Sequence, residues 1–234
     1  MPEGRYSLPG RPRGQQHHEE RSLRLSALST GLPNTTKTIE LSQVPGSATL
    51  SVVVQEFVPE KVDATWYGWR DINGAHRRLR MPSYALTSPA VTERSIQAYI
   101  GANMSAYLGA CLQPANDVVS RIFDMAVKRA KGGSRLLQDV LEFWVASRII
   151  EDPWRITGQE TLGMEEIVDR RSMFFGKIPV TPIMETQLSQ IVIRQFLHPL
   201  RLLLLQQLQA STINEDSVPF AEVLWPVFIL VEQH

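Results

Sequence analysis

Residues 134–164, SRLLQDVLEFWVASRIIEDPWRITGQETLGM, decide how the rest of the chain is read. Leu137, Val140, Leu141, Trp144 and Arg148 recur at spacings of three and four, which sets them along one side of a helix. Phe143, Val145, Ile149 and Ile150 extend the apolar surface most of the way round, and a helix of that kind must be covered by neighbours. Gly132 and Gly133 end the preceding helix, Ser134 is placed to act as an N-cap, and Pro153 keeps Asp152 out of the helical region. Phe143, Trp144 and Trp154 read as core rather than as a ligand cluster, because aromatic side chains at helical spacing bury large apolar area whatever the function.

Working outward, Ser88-Pro89 opens a helix whose stripe is Ile96, Tyr99, Ile100, Met104, Tyr107, Leu108 and Cys111. Its place on that stripe makes Cys111 an inert core residue, since reactive cysteines are exposed beside a cation. After Pro114, Asn116 or Asp117 caps a second helix with Val119, Ile122, Phe123, Ala126 and Val127 inward and Lys128, Arg129 and Lys131 in its last turn. Downstream, Trp154 to Pro182 reads as a long connection held down by Met164, Met173, Phe174 and Phe175. A long helix follows from about Ile183 to Gln209, with a kink expected at Pro199. Leu200, Leu203 and Leu204 match the LxxLL docking pattern, for which core packing is the default explanation. A final apolar segment from Ser217, with Phe220, Val223, Leu224, Val227, Phe228 and Val231, needs a partner to cover it.

Toward the amino terminus, Thr49–Phe57 alternates Leu50, Val52 and Val54 against Val53, Gln55 and Phe57, the pattern of a strand. ATWYGWR (64–70) and HRRLRM (76–81) flank Asn73-Gly74 and read as a hairpin. Arg77, Arg78 and Arg80 beside Trp66, Tyr67 and Trp69 have the composition of a single-stranded nucleic-acid surface, but the neutral chain favours a hairpin that covers the helices. Residues 1–36 bury too little apolar surface to fold and read as a disordered arm. The expected architecture is therefore mainly α: a helical bundle-like single domain over 37–234, β-containing over 37–87 and helical over 88–234.

Twenty-four basic and twenty-four acidic side chains cancel, which leaves no net field to attract duplex nucleic acid or an anionic membrane. Cys111 is the only cysteine, so an internal disulfide is impossible and a thiolate zinc site is unsupported; the chain reads as intracellular. No secretory signal is present, and the longest apolar run, Leu202 to Leu205, is too short to span a bilayer. His17 and His18 lack supporting ligands, and His76, His198 and His234 have no nucleophile nearby in sequence. Glu165 and Glu166 are adjacent and make a poor acid and base pair. No catalytic residue, cofactor or metal ligand is assigned, and the expectation is that the protein is not an enzyme.

LLQDVLEFWVASRIIEDPWRITGQETLGM, followed by GKIPVTPIMETQLSQIVIRQFLHPLRLLLLQQLQ, resembles the C-terminal region of fungal zinc binuclear cluster (six-cysteine) transcription factors. The likeness extends from IELSQVPGSATLSVVVQEF and NDVVSRIFDMAVKRA over roughly residues 37–231. Its signature is Phe143, Trp144, Trp154, Glu160, Leu162, Gly163 and Met164, read as structural. The resemblance implies a nuclear transcription regulator working through protein partners, full-length relatives among them. Six cysteines hold the two zinc ions of the cluster, and Cys111 alone removes the warrant for direct DNA binding. Helices of that family continue past the equivalent of Val231, which together with Pro226 implies a chain shortened at its C-terminus. The alternative is a cytoplasmic small-molecule-binding or enzymatic helical domain, its pocket lying between the central helix and Gly158–Met164 with Arg148, Arg155 and Glu160 converging on it.

Overall fold

A computed structural model describes residues 36–112, 117–213 and 226–230. Five short strands form one antiparallel sheet: β1 (Thr36–Ser42), β2 (Leu50–Glu56), β5 (Tyr84–Leu86), β6 (Arg155–Thr157) and β7 (Ile178–Pro179), in the order β5-β2-β1-β6-β7. A separate two-stranded ribbon is made by β3 (Trp66–Arg70) and β4 (His76–Arg80). The helices are α1 (Pro89–Cys111), α2 (Asp117–Lys131), α3 (Arg135–Glu151), α4 (Pro182–Ile191) and α5 (His198–Ile213).

The protein is therefore an α+β domain, and the expectation of a mainly α bundle is overturned by the five-stranded sheet. Period-2 alternation exposed β2 in the sequence, but β6 and β7 contribute three and two residues, too few to show any period. Both lie inside the stretch read as a connection from Trp154 to Pro182. β1 was also missed as a strand, because only Ile39 and Leu41 mark its inward face. In the sheet Ile39 faces Val52, Leu41 faces both Leu50 and Ile156, and Val54 faces Leu86. All seven are buried, so one face of the sheet is core.

Against that core lies α3, with Leu137, Val140, Leu141, Trp144, Val145, Ala146 and Ile149 buried. Trp144 meets Phe123 of α2 at 5.1 Å between ring centroids, and Trp154 meets Tyr99 of α1 at the same distance. The apolar stripe is narrower than its sequence implies: Ile150 is exposed and Phe143 half-buried. Ser134 occupies the N-cap position but makes no side-chain cap bond. Gly133, at φ +105°, instead ends α2 in a Schellman arrangement, with Ser134 N–H on the Arg129 carbonyl and Gly133 N–H on that of Ala130. The Asn116 or Asp117 cap expected for α2 lies outside the described side chains.

Polar side chains lock the helices to the sheet. Gln43 donates to the carbonyls of Ile149 and Asp152 at the end of α3 and accepts from the Tyr107 hydroxyl. Asn103 of α1 brackets Ala48, accepting from its N–H at 2.8 Å and donating to its carbonyl at 3.1 Å. Thr181 caps α4 by accepting from Met184 N–H and donates to the Tyr84 carbonyl, while Gln187 accepts from Leu86 N–H. Together these bonds cover the β5 edge, which an unprotected sheet would leave open to association.

Three further expectations change. The single long helix expected from Ile183 to Gln209 is interrupted by a π-helical turn, Val192–Leu197, in which His198 N–H reaches back to the Ile193 carbonyl just before the residue that has no N–H. Cys111, placed in the core by its period, is exposed at the end of α1; partial desolvation still pushes its thiol upward. In the LxxLL segment Leu204 is buried and Leu200 half-buried, whereas Leu203 is exposed together with Leu202 and Leu205, so core packing explains only part of it. The arm expected over residues 1–36 lies outside the described residues except Thr36, which opens β1. The last helix is described only over residues 226–230, where Ile229 joins the core.

Candidate functional site

The signature residues divide between core and one tight turn. Trp144 and Trp154 are buried in the core, and Phe143 is packed against its margin. Glu160, Leu162, Gly163 and Met164 build the turn. Met164 N–H donates to the Thr161 carbonyl at 3.1 Å, with Leu162 at φ +58° and Gly163 at φ +76° between them. A left-handed leucine costs about 1–2 kcal/mol. It is held there by burial of its side chain and by the Glu160 carboxylate, which accepts its N–H at 2.8 Å. That carboxylate also pairs with Lys37 of β1 at 3.1 Å. The Leu162 amide, then Lys37, hold the Glu160 carboxyl below the usual range, and the bond to Glu160 raises the Lys37 amine.

The three polar residues of the alternative reading have separate surroundings. Glu160 is occupied by Lys37 and Leu162. Arg148 bridges to Glu151 at 2.9 Å and lies 5.6 Å from the Trp144 ring centroid. Arg155 sits in β6 between β1 and β7 with its Nε buried. None of the three lines the cleft described next.

A cleft of about 440 Å³ opens between the ribbon and the strained turn, with Trp69 and Leu79 on one wall and Gly163 to Asp169 on the other. The ribbon rests on the segment after the turn: the Tyr67 ring meets that of Phe174 in a tilted contact at 4.8 Å, and the Trp69 indole donates to Asp169 at 2.6 Å. The indole bond and the Arg171 amide hold the Asp169 carboxyl low. The ribbon's own turn is set by Asp71, whose side chain accepts from the amides of Asn73 and Ala75 and pairs with Arg77 at 2.8 Å. Gly74 takes φ +77° while Asn73 does not, so the loop is a type I turn closed by a left-handed glycine.

Pleating splits the six aromatic and basic residues singled out in the sequence. Tyr67, Trp69 and Arg77 share the face toward the 163–175 segment. Trp66, Arg78 and Arg80 share the opposite face with Gly68, Arg70 and His76, as the pairings Trp66 with Arg80, Gly68 with Arg78 and Arg70 with His76 require. There Trp66 is 50% exposed and the Arg78 guanidinium lies 4.6 Å from its ring centroid. The indole lies over Gly68, where an added Cβ would come within 3.0 Å of a ring carbon.

No group of three His, Cys, Asp or Glu that could hold a metal exists among the described residues. Sequence reasoning also missed Glu185, in the first turn of α4, which receives the Trp154 N–H at 3.4 Å. Burial pushes its carboxyl up to about 7. Only the three-dimensional placement of α4 against Trp154 reveals this.

Fold and surface define an α+β domain that presents a basic, tryptophan-bearing β-ribbon. The chain belongs to the KpeA transcription factor family, whose family model matches residues 13–234. It is a transcription-factor-like protein by that match, which does not extend to the zinc-cluster kinship suggested by the sequence. No curated protein and no solved structure matches the chain. Among the described residues no helix is long and apolar enough to cross a membrane.

Proposed function

We propose that this chain is the regulatory part of a fungal zinc-cluster type transcription regulator and acts in the nucleus through protein contacts rather than through a zinc cluster of its own. The observation that carries the reading is the family match over residues 13–234, which takes in all the described secondary structure. The cysteine count supports the second part, because Cys111 is one ligand where a binuclear cluster is built from six. The same reading makes the protein a non-enzyme: the signature residues are engaged in core packing and in fixing a turn, with Glu160 already paired to Lys37 and Leu162. The test is to tether the full chain to a reporter promoter through a heterologous DNA-binding module and, in parallel, to titrate the untethered chain with zinc and duplex DNA. The reading expects altered reporter output with neither zinc nor duplex binding. Duplex or zinc binding by the chain alone contradicts the absence of a DNA-binding module, and an inert reporter with a folded chain contradicts the regulatory role.

A further inference from the structure

The outer face of the β3–β4 ribbon has the chemistry of a docking surface, and the chemistry of its occupant follows from what it displays. Arg70, His76, Arg78 and Arg80 share this face with Trp66, and no carboxylate stands among them. The positive charge there is local, because the whole chain is neutral. The Arg78 guanidinium stacked on the half-exposed Trp66 is the pairing found at the energetic centres of protein interfaces. The indole lies over Gly68, which has no side chain to displace it.

Apolar surface accompanies this charge: Trp66 is half-exposed and Ile72 at the ribbon tip is 76% exposed. A phosphate backbone makes no use of such side chains. An acidic peptide carrying leucine or aromatic residues uses both the arginines and the apolar surface. As the ribbon has only two strands, each keeps one edge where an extended segment can add backbone hydrogen bonds.

We infer that the outer face of the β3–β4 ribbon, centred on Trp66, Arg78 and Arg80, binds an extended acidic segment of a protein partner in which carboxylates alternate with large apolar side chains. That alternation is the composition of acidic activation segments. The inference rests on the regulatory reading only for the kind of protein that carries the segment; charge and exposure on the ribbon stand without it.

The experiment is fluorescence anisotropy of a short labelled synthetic peptide alternating Glu with Leu and Phe, titrated with the purified full chain. A control peptide replaces Glu by Gln, and a labelled DNA duplex provides the other arm. The expected result is saturable binding of the acidic peptide that weakens with added salt, with little binding of the control or the duplex. Arg78→Glu with Arg80→Glu, and separately Trp66→Ala, should weaken it about tenfold or more. Gly68→Ala, which keeps every charge but displaces the indole, should also weaken it. Circular dichroism melting of each variant identifies any that fails to fold, and Arg78→Gln replaces the double variant in that case. Failure of the folded wild-type chain to bind, or binding that all these variants retain, overturns the inference. Duplex binding lost in the same variants overturns it too and assigns the face to nucleic acid. If the tethered chain regulates a reporter but ignores the peptide, the docking surface falls and the regulatory reading stands; peptide binding by a chain inert on the reporter reverses that outcome.

Discussion

The Trp154 backbone N–H donates to the Glu185 carboxylate across 3.4 Å and joins the exit of α3 to the first turn of α4. A position in the first turn favours the ionised carboxylate by about 0.3–1 kcal/mol through the helix dipole. Burial outweighs this and lifts the carboxyl from 4.5 to about 7. Burial, and then the Glu185 charge, also push the Tyr67 phenol upward.

The pH dependence follows from that lifted value. The folded state holds the proton more tightly than the unfolded state, so the stability contributed by neutral Glu185 is full below pH 4.5 and is lost as pH rises to about 7. The shift corresponds to roughly 3 kcal/mol across that window. Urea unfolding of wild type and Glu185→Gln at several pH values should show the variant gaining relative stability as pH rises, then a constant difference above neutrality. A pH-independent difference contradicts the assignment.

Two glycine substitutions should act in opposite directions. Gly163 has open space around it but φ +76°, so Gly163→Ala meets only backbone strain and should destabilise by about 1–2 kcal/mol. Gly101 lies within α1, also with open space, and Gly101→Ala should stabilise by about 0.5–1 kcal/mol. Thermal unfolding of the pair separates conformation from packing.

Gln43→Ala removes the donor to Ile149 and Asp152 and the acceptor for Tyr107 together. The expected loss is about 1–3 kcal/mol in chemical denaturation. Gln43→Glu, which cannot donate, should lose the α3 contacts and retain the acceptor.

At the turn, Glu160→Ala should lower the melting temperature more than Lys37→Ala, because Glu160 also holds the Leu162 amide while Lys37 supplies only a half-exposed ion pair. The Lys37 contribution should fade with added salt while the Glu160 contribution persists in part. Equal effects from the two substitutions contradict the amide-capping role.

Much of the helical framework was legible because α1, α2 and α3 each carry a long 3.6-residue pattern, bounded by Ser88-Pro89, Gly133 and Pro153. The β3–β4 ribbon was legible from its turn chemistry. The sheet was not, since its joining strands are too short for a pattern and their partners are remote in the chain. The Thr157 hydroxyl reaches the Glu40 carbonyl across 117 positions, and Lys37 reaches Glu160 across 123. Local sequence has no access to such pairings. At the site, composition identified the basic and aromatic residues of the ribbon, but the register was needed to learn which three face outward. Cys111 was misjudged because periodicity says which residues align, not where the covering elements stop.

The most direct test of the regulatory account is reporter output with the full chain tethered to a promoter, compared with the same fusion carrying Arg78→Glu and Arg80→Glu. The account predicts a change in transcription with wild type and loss of that change in the folded variant. A folded, tethered wild-type chain that leaves transcription unchanged contradicts it.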